Sequence, residues 1–158
     1  MTITVVNADK SHSRDIWEWR NDPISRSFSR NKEEIEWDEH QTWFEKSLTN
    51  PKKFLYVGIS IESNKMPMGI IRFDLIDPKK YFYEVSINIS PIMRGKGIGR
   101  FLLNYGTQAF NCEVKKCNRI YAEVKTDNLS SILLFTSAGY TPYENNHKEF
   151  TKYFIDCD

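Results

Sequence analysis

Ser90-Pro91-Ile92-Met93-Arg94-Gly95-Lys96-Gly97-Ile98-Gly99-Arg100-Phe101-Leu102-Leu103 is the stretch around which the chain is organised. Its three glycines fall at every second position. Upstream, Phe82–Ile89 alternates at the period of a strand, with Tyr83, Val85, Ile87 and Ile89 on one face and Glu84, Ser86 and Asn88 on the other. Downstream, Ile98, Phe101, Leu102, Tyr105 and Ala109 recur at helical spacing. Glycine permits positive φ and lets backbone approach a ligand closely. A glycine-rich turn feeding a helix aims unpaired N–H groups at one point, which suits a phosphate. The spacing excludes two familiar phosphate loops. No Ser or Thr follows Lys96 as a P-loop requires, and the three glycines close too early for G-x-G-x-x-G.

The 158 residues predict one domain, 1–158, able to bury a respectable core. A net charge of +1 gives no electrostatic case for nucleic acid or an anionic membrane surface. No apolar run approaches the ~20 residues of a membrane span. The N-terminal Met1-Thr2-Ile3-Thr4-Val5 lacks the basic and apolar regions of a signal peptide, which predicts a cytoplasmic protein. Cys112, Cys117 and Cys157 are odd in number and have no metal-ligand partners nearby, so reduced thiols and no metal site are expected. The ten Phe, eight Tyr and four Trp allow an aromatic pocket as well as a core.

Along the chain, residues 2–6 read as a short strand. Asp9-Lys10-Ser11 offers a cap to a helix carrying Ile16 and Trp19, which should end before Pro23. Residues 24–32 are polar and read as a loop or weak helix. A second helix is expected over about 35–48, with Trp37, Phe44 and Leu48 as its inner stripe, Gln41 between them and His40 beside it. Strands over 54–61 and 67–76 form a hairpin about Glu62-Ser63-Asn64-Lys65, with Arg72 and Asp74 at even positions of the second. The long helix runs from the glycine loop to about Val114. Arg119–Lys125 alternates as a strand, Asp127 or Asn128 caps a last helix ending at Gly139, and residues 140–144 and 149–156 close the chain as strands.

Arg94, Gly97 and Gly99 match the R-x-x-G-x-G/A motif of the GCN5-related N-acetyltransferases. About thirty residues on, Asn128-x-x-Ser131-x-x-x-Phe135-x-x-x-Gly139-Tyr140 resembles that family's second motif. The element order β-α-α-β-β-β-α-β-α-β-β is similar to the family's over the whole chain. The resemblance implies an α/β (α+β) fold. Its mixed central sheet would have about seven strands, with about four helices, splayed between the fourth and fifth strands. It implies acetyl-CoA as cosubstrate. Backbone groups of Ile87, Asn88 and Ile89 would pair with the pantetheine arm. Arg94, Gly95, Lys96, Gly97, Ile98 and Gly99 would hold the pyrophosphate, and Asn128 and Ser131 would lie close to the cofactor. Asn128 is equally a plain helix cap, and both roles can hold together. Phe135 departs from the family, which often has a tyrosine there as general acid. Tyr83, Tyr121 or Tyr140 would have to serve instead, or the thiolate, with a pKa of about 8.5 if like cysteine, leaves with solvent help.

An amine acceptor needs a base. Side chains two apart share a strand face, so Glu84, Ser86 and Asn88 form one polar row and Tyr121, Glu123 and Lys125 another. If the rows coincide they line a wet cleft, with Glu123 as base through a water and Glu84 or Ser86 assisting. If they do not, they are solvated outer positions. Trp19-Arg20-Asn21-Asp22-Pro23 and Glu39-His40-Gln41-x-Trp43-Phe44 resemble segments of the acetyltransferases that act on nucleotide-linked 4-amino-4,6-dideoxy sugars in bacterial surface-glycan pathways. That resemblance implies a nucleotide-sugar acceptor whose diphosphate meets Arg20 and His40, with Asn21 and Arg30 among the binding residues. It leaves room for a homodimer. The alternatives are an acetyltransferase of protein N-termini or small amines, and a non-catalytic CoA-binding module.

Overall fold

The computed structural model describes residues 1–143 and 149–158. Among the described residues seven strands form one sheet in the order β1-β2-β3-β4-β5-β7-β6. They are β1 Ile3–Asn7, β2 Lys53–Ser60, β3 Met66–Asp77, β4 Phe82–Ile89, β5 Arg119–Lys125, β6 Thr141–Tyr143 and β7 Phe150–Asp156. The five α-helices among the described residues are α1 Ser13–Asn21, α2 Pro23–Ser27, α3 Trp37–Thr49, α4 Ile98–Glu113 and α5 Leu129–Ser137. This is the expected mixed α+β fold with one more helix than expected. Residue 144 of the expected β6 lies outside the described residues. Among the described residues no helix is long and apolar enough to cross a membrane.

The extra helix follows from Pro23. Proline ends α1, but its fixed φ also suits a first helical position. Asp22 sits between the two helices in an extended conformation, and its carboxylate accepts the N–H groups of Ile24 and Ser25 at 3.1 Å each. One Asp-Pro pair therefore turns the chain from one helix into the next.

Every neighbouring strand pair is antiparallel except β4 and β5, which run parallel. Their ladder covers only Phe82↔Arg119, Tyr83↔Ile120 and Glu84↔Tyr121. Beyond Glu84 the two strands part, so the sheet is split from its middle outward. Helix α4 covers one face with Phe73, Tyr83, Val85, Leu102 and Phe110 in the larger core. It lies so close that a Cβ on Gly106 would fall 2.6 Å from Ile71. Helices α1 and α3 cover the other face with Ile16, Trp19, Phe44, Val57 and Ile70.

Two expectations fail here. The inner residues of α3 are His40, Phe44 and Ser47, while Gln41 is exposed and Trp37 and Leu48 are half-buried. The inner face is rotated from the Trp37-Phe44-Leu48 stripe, with His40 buried because both its ring nitrogens are hydrogen-bonded. The cysteines are not all free thiols: Cys117 and Cys157 are joined in a disulfide, with Cα atoms 5.9 Å apart, and Cys112 is free and exposed. The β5–β7 register explains the pairing. Arg119 faces Asp156, the next step outward sets Cys157 against Asn118, with Cys157 N–H donating to the Asn118 carbonyl, and Cys117 follows as the diagonal neighbour of Cys157.

Candidate active site

The split between β4 and β5 opens at Glu84, so residues 85–89 pair with β3 on one side and with no strand on the other. Alternate residues there offer backbone N–H and C=O groups to the gap, which is where Ile87, Asn88 and Ile89 are expected to meet an extended arm. At the end of β4 the chain makes a short 3-10 turn, Pro91–Met93, and then the glycine loop. Gly95 has φ +75° and Gly97 has φ +80°, the left-handed region that side chains avoid. A Cβ added at either would meet no atom within 4 Å, so the space above the loop is open. Gly97 is the N-cap of α4, and the first intrahelical bond is Phe101 N–H to its carbonyl. The N–H groups of Ile98, Gly99 and Arg100 thus have no acceptor within the helix. An open cradle, free N–H groups and a helix dipole fit a pyrophosphate. Gly99 differs from the other two: its Cα faces Leu134 of α5, whose Cδ2 would lie 3.4 Å from an added Cβ. Lys96 is exposed on the loop.

Arg94 does not reach toward that cradle. Its guanidinium is bonded to the Asp22 carboxylate at 2.5 Å and to Ser25 Oγ at 3.0 Å. Ser25 Oγ in turn donates to Asn88 Oδ1 at 3.2 Å. Burial raises the Asp22 carboxyl, but Arg94 and the α2 N–H groups outweigh it and hold it below the usual range. Asn128 is a helix cap, its Oδ1 accepting the Ser131 N–H at 3.3 Å. Both belong to the start of α5, at the end of β5 where the strands have parted.

The polar rows of β4 and β5 do coincide. Arg30 bridges them, pairing with Glu84 at 2.9 Å and approaching Glu123 at 3.7 Å. Burial would lower the Arg30 pKa, but Glu84 in contact, with Glu123 and Asp74 nearby, raises it overall. Arg30 itself is exposed, while the side chains of Glu84 and Glu123 keep only 12% and 20% of their surface. Two carboxylates largely shielded from bulk water are thus brought together through Arg30 at the strands that border the split. Ser86 lies between Glu84 and Asn88 on the same face and is registered with Arg72 of β3.

The substrate residues expected from the sequence divide sharply. His40 is fully buried and cannot touch a ligand. Its Nδ1 accepts from Arg20 at 3.1 Å and its Nε2–H donates to the Ser13 carbonyl at 2.9 Å. Burial, together with the Arg20 charge, pushes its pKa down to about 4. It stays neutral and holds Arg20. Asn21 is also spent: its side-chain amide donates to the Ile35 carbonyl and accepts the Ile35 N–H, both at 2.8 Å. Trp17 Nε1–H donates to the same carbonyl at 2.7 Å. These bonds fasten the segment that carries Arg30. Arg30 is occupied by the two carboxylates. Only Arg20 keeps donors to spare. Among the described residues no carboxylate forms an ion pair with it, and Glu39 acts on it only from beyond pairing distance. Burial and neighbouring Arg72 draw it down to about 10. Arg20 and Arg72 both lie over the Trp43 indole, at 4.4 and 5.0 Å from the ring centre. Arg72 is paired with Asp74 at 3.0 Å, which Lys53 also reaches at 3.2 Å.

Arg72, Trp43, Asp22 and Ser25 do not stand out in the sequence as site residues. The signal for Arg72 is the even parity it shares with Asp74, which puts it on the face of Glu84 and Ser86. Nothing local marks Asp22 as a partner of Arg94, 72 residues away.

The three candidate tyrosines for the acid missing at Phe135 lie in two regions. Tyr83 and Tyr140 are buried on the α4 side of the sheet, and burial raises both. Tyr140 packs edge-on against Phe135, its hydroxyl without a partner, beside a cavity of about 480 Å³ between α4 and α5. Tyr121 lies at the closed end of the split, packed among Phe82, Tyr143 and Phe154. Among the described residues no three metal-ligating side chains converge.

Residues 14–140 match the model of the acetyltransferase (GNAT) family. No curated protein is significantly similar in sequence. Several solved structures share the fold. Spermidine N-acetyltransferase from Vibrio cholerae, in complex with CoA and spermine, is 18% identical with a TM-score of 0.83, covering 98% of this chain and 95% of that one. The acetyltransferase yncA of Salmonella typhimurium, with acetyl-CoA, is 23% identical with a TM-score of 0.77, covering 100% and 95%. The N-acetyltransferase PseH of Campylobacter jejuni, in complex with acetyl coenzyme A, is 19% identical with a TM-score of 0.72, covering 99% and 100%. The family match takes in the split strands, the glycine loop and both helices that flank them, and the chain belongs to the GNAT family as an acetyl-CoA-dependent N-acetyltransferase.

Proposed function

We propose that the acceptor is a nucleotide-linked amino-deoxy sugar of the 4-amino-4,6-dideoxy type, acetylated directly on its amine for a cell-surface glycan. The observation that carries this reading is the Arg20–Trp43–Arg72 stack. A half-buried guanidinium with no carboxylate in contact, beside a second guanidinium on the same indole, is a site for an anion. Arg72 is registered with Ser86 on the neighbouring strand, two residues along from Glu84, and Arg30 ties Glu84 to Glu123, the pair that would receive an amine. One acceptor with an anion at one end and an amine at the other, separated by a sugar ring, matches both. PseH is among the proteins that share this fold.

In this reading Glu123 takes the amine's proton through a water, with Glu84 and Ser86 beside it. A backbone N–H on the open edge of β4, in residues 87–89, donates to the thioester oxygen as it gains charge. Residues 95–99 hold the pyrophosphate. The thiolate leaves without a protein acid. The reaction runs where acetyl-CoA and nucleotide sugars are both made, in the cytoplasm.

One observation favours a second reading. Asp74, Glu84 and Glu123 surround Arg30, and a small polyamine could take the guanidinium's place. Such a substrate would then meet Arg20 and Arg72 as like charges. A screen of UDP- and dTDP-linked amino sugars, polyamines and peptide N-termini, read by CoA release, decides. The expected result is turnover of a nucleotide-linked amino sugar at least about tenfold more efficient than that of any free amine, the equivalent of one charged hydrogen bond. Polyamine or peptide turnover without nucleotide-sugar turnover would discard the assignment.

A further inference from the structure

We propose that Arg94 is a positioning residue for the acceptor half of the enzyme, with Asp22 as its partner, rather than a phosphate ligand. The guanidinium leaves the glycine loop and enters the junction of α1 and α2. There it meets Asp22 and Ser25, and Ser25 continues to Asn88 on β4. The chain of bonds runs from the cofactor loop, through the helix junction, back to the strand that borders the split. Asp22 stands two residues after Arg20 and caps α2 with the same oxygen that receives Arg94. The position of α1, and of Arg20 at its last turn, is therefore referenced to the loop that holds the cofactor.

Only 17% of the Asp22 side chain and 33% of the Arg94 side chain remain exposed. An arginine that swung to the pyrophosphate would leave that carboxylate half-buried with only two backbone donors. The loop does not need the swing, because its open backbone cradle already supplies N–H groups. The pair thus carries information between two binding events: acetyl-CoA that orders the loop also orders α1 and α2. This inference does not depend on which acceptor is used.

The test uses the full chain, acetyl-CoA as the only ligand, and the variants Asp22→Asn and Arg94→Gln. Asparagine retains an acceptor for the α2 cap, and thermal unfolding identifies any variant that fails to fold; Ser25→Ala then serves as a milder cut in the same chain of bonds. Calorimetry gives acetyl-CoA affinity, and amide hydrogen exchange gives the protection of residues 13–27 with and without it. In the wild type, acetyl-CoA should slow exchange in 13–27 as well as in 94–103. In both variants affinity should stay within about threefold, protection of 94–103 should persist, and the added protection of 13–27 should vanish. A tenfold or greater loss of affinity in Arg94→Gln, with or without the same loss in Asp22→Asn, would make Arg94 part of the phosphate site and overturn the proposal. Unchanged coupling to 13–27 in both variants would overturn it equally.

Discussion

The two halves of this enzyme use their polar groups in opposite ways. Around the glycine loop the polar groups left open are backbone N–H groups with no acceptor within the helix, and few side chains are involved. On the α1–α3 side the polar side chains are plentiful but already bonded to one another: His40 to Arg20 and Ser13, Asn21 to Ile35, Arg30 to Glu84 and Glu123. A backbone site is built by conformation and can be read from glycines. A side-chain site must be separated from the scaffolding that carries it, and residue type alone does not make the separation.

The harshest test of that contrast is Gly97→Val. If the cofactor half is made of backbone, a β-branched residue at φ +80° strains the loop by about 1–3 kcal/mol and fills the open cradle, and acetyl-CoA binding should be abolished. Calorimetry on a variant shown to be folded by circular dichroism checks it, and undiminished binding would remove the cradle from the cofactor site. At the border between the halves, Glu123→Gln should lower kcat by about 10²–10⁴-fold with little change in acetyl-CoA affinity. A loss under about threefold would pass the base role to Glu84, Ser86 or solvent.

Within the acceptor half, His40 distinguishes scaffold from site through pH. Its pKa is about 4 in the folded chain against 6.5 for an ordinary histidine. Between these values the unfolded chain binds the extra proton, so stability is full above pH 6.5 and falls as pH drops toward 4. The loss should be on the order of 3 kcal/mol, because each tenfold weakening of proton binding on folding is worth about 1.4 kcal/mol. Urea unfolding across that range should show the slope, and His40→Gln should flatten it; an unchanged slope would mean that His40 opens to water. The smallest effect is expected from the one arginine with donors to spare. Arg20→Ala should cut kcat/KM for a nucleotide-linked amino sugar by about 10–100-fold, the roughly 1.5–3 kcal/mol of a charged hydrogen bond. The free amino sugar should hardly change. Equal losses for both would move Arg20 into the scaffold with His40.

The cofactor half is legible in the sequence because its signals are local. Alternation in Phe82–Ile89, the glycines at 95 and 97 and the Asn128 cap each predict a conformation within a few residues, and each is found, while Gly99 lies in ordinary helix inside α4. The split after Glu84 comes from family resemblance, and the short β4–β5 ladder bears it out. The faces of Glu84 and Glu123 can be matched only conditionally, since their meeting depends on two strands separated in sequence by the whole of α4. What escapes is long-range pairing. His40 looks like a solvated or ligand-binding residue because nothing nearby shows that Arg20 and the Ser13 carbonyl satisfy both its nitrogens. The cysteines look unpaired because the register of β7 against β5 is not written in their spacing. Arg94 lies within a familiar motif, yet its partner lies in a different element.

The bond between Asp22 and Arg94 also bears on how this scaffold can be recombined. A chimera that replaced the segment from β1 through α3 with that of another acetyltransferase, to exchange acceptors, would cut through it. Without an acid at the helix junction, Arg94 would be released beside the pyrophosphate cradle as an extra positive charge. The hybrid should keep its cofactor affinity, which rests on the backbone cradle, while losing alignment of the grafted acceptor helices. Transplants that carry an acid at position 22 together with a hydroxyl at position 25 should remain interchangeable parts. Transplants without them should require position 94 to be redesigned in the same step.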